Sequence, residues 1–139
     1  MSNKLSSKAN AVNSEILISC GNVCLRPDDI ICIELNEDYT LELHDLADIN
    51  SAIAQLASGR KHFVITVGGK YTAFSQDVLK NSNNPSNFTY TIADAFVIKS
   101  THQRLLANFY IRIIKPPVPT RYFENLDMAV AWLQTRVKH

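Results

Sequence analysis

The chain lacks a charge of one sign. Its 139 residues carry 14 Lys and Arg against 13 Asp and Glu, a formal net charge of +1. A protein that holds nucleic acid through its phosphates needs a basic surplus, so no nucleic-acid partner is expected. It also lacks a long apolar run. The opening MSNKLSSKANAVNSE is polar, and nothing of signal-peptide or membrane-span length follows. A cytoplasmic location without membrane insertion is therefore expected. Cysteine is scarce. Cys20, Cys24 and Cys32 form no C-x-x-C pair and have no second ligand pair nearby, which excludes the common redox and zinc patterns and leaves buried thiols in strands. The sequon Asn87-Phe88-Thr89 has no export signal to make it usable. There are only 4 glycines, and Gly68-Gly69-Lys70 lacks the spacing of a phosphate loop, so a turn with positive φ is its plain reading. No Gly-x-Ser-x-Gly elbow, paired catalytic carboxylates or His-x3-His occurs. His44, His62, His102 and His139 read as surface residues. Neither a cofactor nor a metal is implied, and no catalytic set is visible.

What is present suits one domain. The chain is 46% hydrophobic and 19% charged, ordinary for a globular protein, and long enough to bury a core without staples. Residues 1–14 read as a flexible N-terminus and 15–139 as a single domain. No internal repeat or low-complexity tract interrupts it.

The pattern centres on Lys61 to Leu79. Phe63 to Val67 is a continuous apolar run, as expected of a strand buried on both faces at the centre of a sheet. A Gly-Gly turn leads from it to a short helix over Ala73 to Lys80. Upstream, Glu15 to Leu25 is either a tight hairpin about Gly21-Asn22 or one strand with an irregular lead-in, and Ile30 to Leu35 is a strand. Thr40 is placed to cap a helix over Leu41 to Ser58, with Leu43, Leu46, Ile49, Ile53 and Leu56 as its buried stripe, Ala47 and Ala57 beside it, and Gly59 as its left-handed cap. Downstream, NSNNPSN (81–87) reads as a loop and Ala93 to Lys99 as a strand. Thr101 caps a helix from His102 to Ile113 whose core side is Leu105, Leu106, Phe109, Tyr110 and Ile113. Arg104, Arg112 and Lys115 read as a solvated face. Pro116, Pro117 and Pro119 stop that helix. Arg121 to Phe123 is an edge strand, and a last helix over Asn125 to Val137 buries Leu126, Ala129, Val130, Leu133 and Val137. The order β-β-α-β-α-β-α-β-α predicts an α/β fold with a single mixed, mostly parallel sheet.

The stretch Phe123-Glu124-Asn125-Leu126-Asp127-Met128-Ala129-Val130-Ala131-Trp132-Leu133 resembles the F-x(5)-A-x-x-W-L ending of the STAS and SpoIIAA-like (STAS/SEC14-type) small bacterial domains. The element order resembles theirs over nearly the whole chain. The resemblance implies a SpoIIAA-like fold and a non-enzymatic regulatory domain that acts through protein contacts, as a homodimer or with a regulatory protein partner. It also implies an alternative, a SEC14-type carrier of a small apolar ligand or lipid in a pocket between helices and sheet. Relatives of the anti-sigma-factor-antagonist type switch by phosphorylation of a Ser or Thr after the central strand. The matching turn here has no Asp, and its hydroxyls, Thr72 and Ser75, can equally cap the short helix. The loop Gly68, Gly69, Lys70, Tyr71, Thr72 and Ser75 is the candidate partner-binding surface.

Overall fold

The computed structural model describes residues 14–136. The expected flexible N-terminus therefore lies outside the described residues except for Ser14, which opens the first strand, and so do Val137 and His139. Strands β1 (Ser14–Ile18), β2 (Gly21–Leu25) and β3 (Ile31–Leu35) form an antiparallel meander. The hairpin is thus the form found. Its turn lies at Ser19–Cys20, because Ile18 already pairs with Gly21. A Cβ on Gly21 would sit 1.9 Å from the Glu34 carbonyl oxygen, so glycine is required there by close backbone approach.

The chain then alternates. It runs through the two-residue β4 (Thr40–Leu41), α1 (Leu43–Ala57), β5 (His62–Val67), the two-residue β6 (Ala73–Phe74), α2 (Gln76–Asn81) and a 3₁₀ turn (Pro85–Phe88). After these come β7 (Thr91–Val97), α3 (Thr101–Phe109), a π-helical turn (Tyr110–Ile114), β8 (Thr120–Phe123) and α4 (Leu126–Gln134). The main sheet is ordered β1-β2-β3-β5-β7-β8, with β3, β5, β7 and β8 parallel. As expected, β5 is central and β8 lies at an edge. The protein is α/β, with a mostly parallel mixed sheet of six strands and helices packed on it.

The parallel strands follow one another across the sheet without a reversal. Right-handed crossovers that all step the same way place α1, α2 and α3 on one face. That face buries Ile31, Ile33 and Val64 against Ile49, Ile53 and Leu56 of α1. The opposite face carries Cys32, Ile65, Ala93 and Ala95 and is closed by Ala129 and Leu133 of α4. Alanines on both sides let α4 approach closely, while the Phe123 ring packs tilted against Trp132 at 5.8 Å. Trp132 is therefore a partly buried core residue. Cys20, Cys24 and Cys32 are buried free thiols, and Cys24 and Cys32 face each other across β2 and β3.

Several local readings need correction. Thr40 does not cap α1: Thr40 and Leu41 pair with Ala73 and Phe74, drawing Leu41 into the core. The helix starts at Leu43, and Asp45 closes its capping box by accepting from the Glu42 amide at 2.9 Å. Leu43 and Ala47 consequently face outward. Ser58 as well as Gly59 takes positive φ at its end. The helix expected from Ala73 begins only at Gln76, because Ala73 and Phe74 are in β6. Ser100 rather than Thr101 caps α3, accepting from the Gln103 amide at 3.1 Å. Leu105, Phe109 and Ile113 do not pack in the core. They are 63%, 46% and 66% exposed, because α3 meets the sheet through the narrower face of Gln103, Ala107 and Tyr110. Leu126 is likewise partly exposed, while Ala129 and Leu133 are buried as expected. His62 is not a surface residue. It is buried, with its ring nitrogens 2.9 Å from the Asp29 carbonyl and 3.2 Å from that of Ala57. His44 and His102 are exposed.

Candidate functional site

Leaving β5, the loop does not use its glycines for positive φ. Tyr71 takes that conformation, at φ 63°. Gly68 and Gly69 are needed for space. A Cβ on Gly68 would lie 2.6 Å from Gln103 Oε1, and one on Gly69 would lie 2.6 Å from the Leu35 carbonyl oxygen. Thr72 is buried. Its hydroxyl donates to the Asn36 carbonyl at 2.7 Å and accepts from the Gly69 amide at 2.9 Å. Ser75 caps α2 by accepting from the Val78 amide at 3.2 Å. Lys70 and Tyr71 remain outside, with the Lys70 ammonium 5.4 Å from the Tyr71 ring centre. The six predicted residues are therefore contiguous in space, with Gly69 and Thr72 turned inward.

One residue the sequence did not single out holds this loop. Gln103, on the first turn of α3, is buried, donates to the Gly69 carbonyl at 2.9 Å and accepts from the Lys99 amide at 2.7 Å. A Gln three residues after a Ser is a recognisable helix-start pattern, but nothing local says that its side chain leaves its own helix for a loop 34 residues earlier.

Behind the loop lies a cavity of about 190 Å³ between the sheet and the three crossover helices. Val64, Asp94 and Phe96 form its floor, Ile53 one wall, Ala107 and Tyr110 the other, and Val78 of α2 its roof. Apolar side chains make most of its lining. Gly68 reaches its rim, so the predicted loop and the cavity adjoin. Asn50 and Asn87 line both the cavity and a neighbouring, more polar pocket. Asn50 Nδ2 donates to Asn87 Oδ1 at 2.6 Å, tying α1 to the 3₁₀ turn where the two spaces meet. Asn87 also donates to the Asn81 carbonyl at 2.8 Å, which commits the sequon side chain to structure.

Asp94 is the chemically distinctive group. It is 9% exposed, and its Oδ1 is buried without a hydrogen-bond partner. Burial pushes its carboxyl up to about 7. Tyr110 stands near enough for burial and the Asp94 charge together to push its phenol well above the ordinary range. The phenol hydroxyl donates to the Ser82 carbonyl at 3.2 Å. Asp94 is the one carboxyl among the described residues lining the cavity, and no Lys, Arg or His lines it. The sequence carries a signal for this residue, an Asp between alanines in a mostly apolar strand. Among the described residues no cluster of His, Cys, Asp or Glu could hold a metal ion, and no helix is long and apolar enough to cross a membrane.

Residues 23–137 match the family described as domain of unknown function DUF7793. The chain belongs to that family. The matched span contains every element that lines the cavity. No curated protein and no solved structure matches the chain.

Of the three basic residues read as a solvated face, one is paired. Arg104 pairs with Glu124 and lies 5.8 Å from the Tyr122 ring centre. Arg112 and Lys115 are exposed.

Proposed function

We propose that this chain is a non-enzymatic binding domain of the STAS/SpoIIAA-like, SEC14-type kind, whose cavity between sheet and helices holds a small apolar molecule. The cavity carries this reading. Ligand sites are concave, mostly apolar pockets with a few placed polar groups, and this space of about 190 Å³, partly open to solvent, lies between the sheet and three helices with a single carboxyl in its lining. Its size sets the scale of the ligand. An engineered protein cavity of about 150 Å³ takes up benzene, so a ring-sized molecule fits and a whole membrane lipid does not. The one-sided arrangement of crossover helices supports the SpoIIAA-like assignment. Binding is favoured over chemistry because a reaction centre brings several polar groups to one point, and here the Tyr110 hydroxyl is already committed to a backbone carbonyl.

A second reading, docking of protein on protein, is favoured by the exposed apolar side chains Leu105 and Phe109 of α3 and Ile113 of the π-helical turn that continues it. Gln103 clamps the first turn of α3 to the Gly68 to Ser75 loop. In this reading a second copy covers these side chains and the domain is a homodimer with a regulatory role. The two readings are compatible, since α3 walls the cavity with one side and presents Leu105 and Phe109 on another.

Native mass spectrometry of the protein purified under mild lysis from its own host tests both. The cavity reading expects one defined small-molecule adduct per chain. A dimer or a stoichiometric protein partner without any adduct would leave docking as the function and remove the ligand.

A further inference from the structure

The cavity's polar content is asymmetric. It has one acid, Asp94, and no basic side chain among the described residues that line it. A ligand carboxylate or phosphate would meet no cation here and would face a carboxyl, so acidic headgroups are disfavoured. A pure hydrocarbon would leave the Asp94 carboxyl, which lines the cavity without a hydrogen-bond partner, as it is, which is costly for a buried acceptor. A ligand nitrogen that donates hydrogen bonds and carries positive charge would supply both missing terms.

We infer that the cavity takes a compact apolar amine, its ammonium group on the Asp94 carboxylate and its hydrocarbon part against Val64, Phe96 and Ala107. The inference rests on the cavity reading and narrows it to a ligand class. The placement of Asp94 fits the role. Its backbone amide is fixed by a 2.9 Å bond to the Pro119 carbonyl, and the strand directs its side chain to the helix-covered face, opposite Ala93 and Ala95. The carboxyl lies close to its protonation midpoint at neutral pH. An arriving cation therefore needs only to draw it into the ionised form, at little cost.

The test compares four probes on one scaffold, phenethylamine, 2-phenylethanol, 3-phenylpropionate and ethylbenzene. Calorimetry at pH 7 would use the full chain and the variants Asp94→Asn and Ala107→Leu. The expected order is amine first, with an advantage on the order of tenfold or more over ethylbenzene, and 3-phenylpropionate last. In Asp94→Asn the ratio of amine to ethylbenzene affinity should fall towards one. Ala107→Leu, which fills the cavity from α3, should weaken every probe. If ethylbenzene binds but the amine has no advantage, or keeps it in Asp94→Asn, the amine assignment fails and the cavity reading stands. If the alcohol matches the amine, a neutral donor replaces the cation and the assignment again fails. If no probe binds wild type, both the assignment and the cavity reading are overturned.

Discussion

At Asp94 a carboxyl is held in an apolar cavity without a partner, and this has a consequence for stability that needs no ligand. Its ordinary value is near 3.8 and burial raises it to about 7. Between those limits the folded chain keeps a proton that the unfolded chain has released, so stability falls as pH rises through this window. The contribution is fully present below about pH 4 and gone above about pH 7, a change of roughly 4 kcal/mol. Chemical denaturation of wild type and Asp94→Asn from pH 4 to 8 should show the difference. The variant should lose this slope and be the more stable protein at pH 8. Equal slopes would mean that water reaches the carboxyl. His62 illustrates the opposite treatment of a buried polar side chain. Both of its ring nitrogens face backbone carbonyls. Nearby, Arg60 binds Asp29 with two bonds of 3.1 Å, holding that carboxyl below its ordinary range and fixing the turn whose carbonyl meets His62.

Among the elements, the β5–β6 loop and the first turn of α3 act as one unit. Gly68 leaves room for the Gln103 side chain, and Gln103 closes on Gly69. Gln103→Ala removes that partner and leaves the Gly69 carbonyl and the Lys99 amide unpaired, at about 1–3 kcal/mol for each group that stays buried. Hydrogen exchange should quicken at the Gly69 and Thr72 amides while the β5 and β7 amides keep their protection. Unchanged loop exchange would show that Thr72 alone holds the turn. The roof of the cavity is pinned in the same manner at three points. Asn83 donates to the Ile114 carbonyl at 2.9 Å, Tyr110 to that of Ser82, and Asn50 to Asn87. Two of these ties end in the π-helical turn, where an extra residue per turn widens the helix and where Tyr110 takes its place over the cavity.

At the scale of the whole molecule, the two sheet faces are covered unequally. Three helices lie on one face, and α4 is the helix among the described residues that closes the other. Leu133 is fully buried there. Leu133→Ala should cost about 2–5 kcal/mol, whereas Leu105→Ala, on the exposed side of α3, should change stability by less than about 0.5 kcal/mol. Urea unfolding of both variants checks the contrast. A large loss for Leu105 in the isolated chain would mean that this side of α3 is already covered by a second copy. The monotonic strand order also explains where the cavity lies. A doubly wound sheet opens a crevice where its strand order reverses. This sheet has no reversal among its parallel strands, so the loop after the central strand borders no such crevice, and the open space lies beneath the helices instead.

The sequence by itself determined the alternation of strands and helices, the central place of Phe63 to Val67, the edge position of Arg121 to Phe123 and the inward face of Ala129 and Leu133. These follow from local periodicity, chain stiffness and short connections, which the nearest few residues dictate. It also marked the turn that leaves Val67, of which Lys70 and Tyr71 are exposed. Tertiary structure decided the rest. The periodicity of α3 is the same whichever flank meets the sheet, so only the packing angle exposes Leu105, Phe109 and Ile113 and turns Gln103 inward. Pairing of β4 with β6 overrode two helix starts, because residues 33 positions apart (Thr40 and Ala73) satisfied each other's backbone. The cavity is the clearest case. A void is what side chains from five or more elements fail to fill together, and no single segment encodes it. Asp94 is thus one polar residue of a strand in the sequence and, among the described residues, the one carboxyl that lines the cavity in the fold.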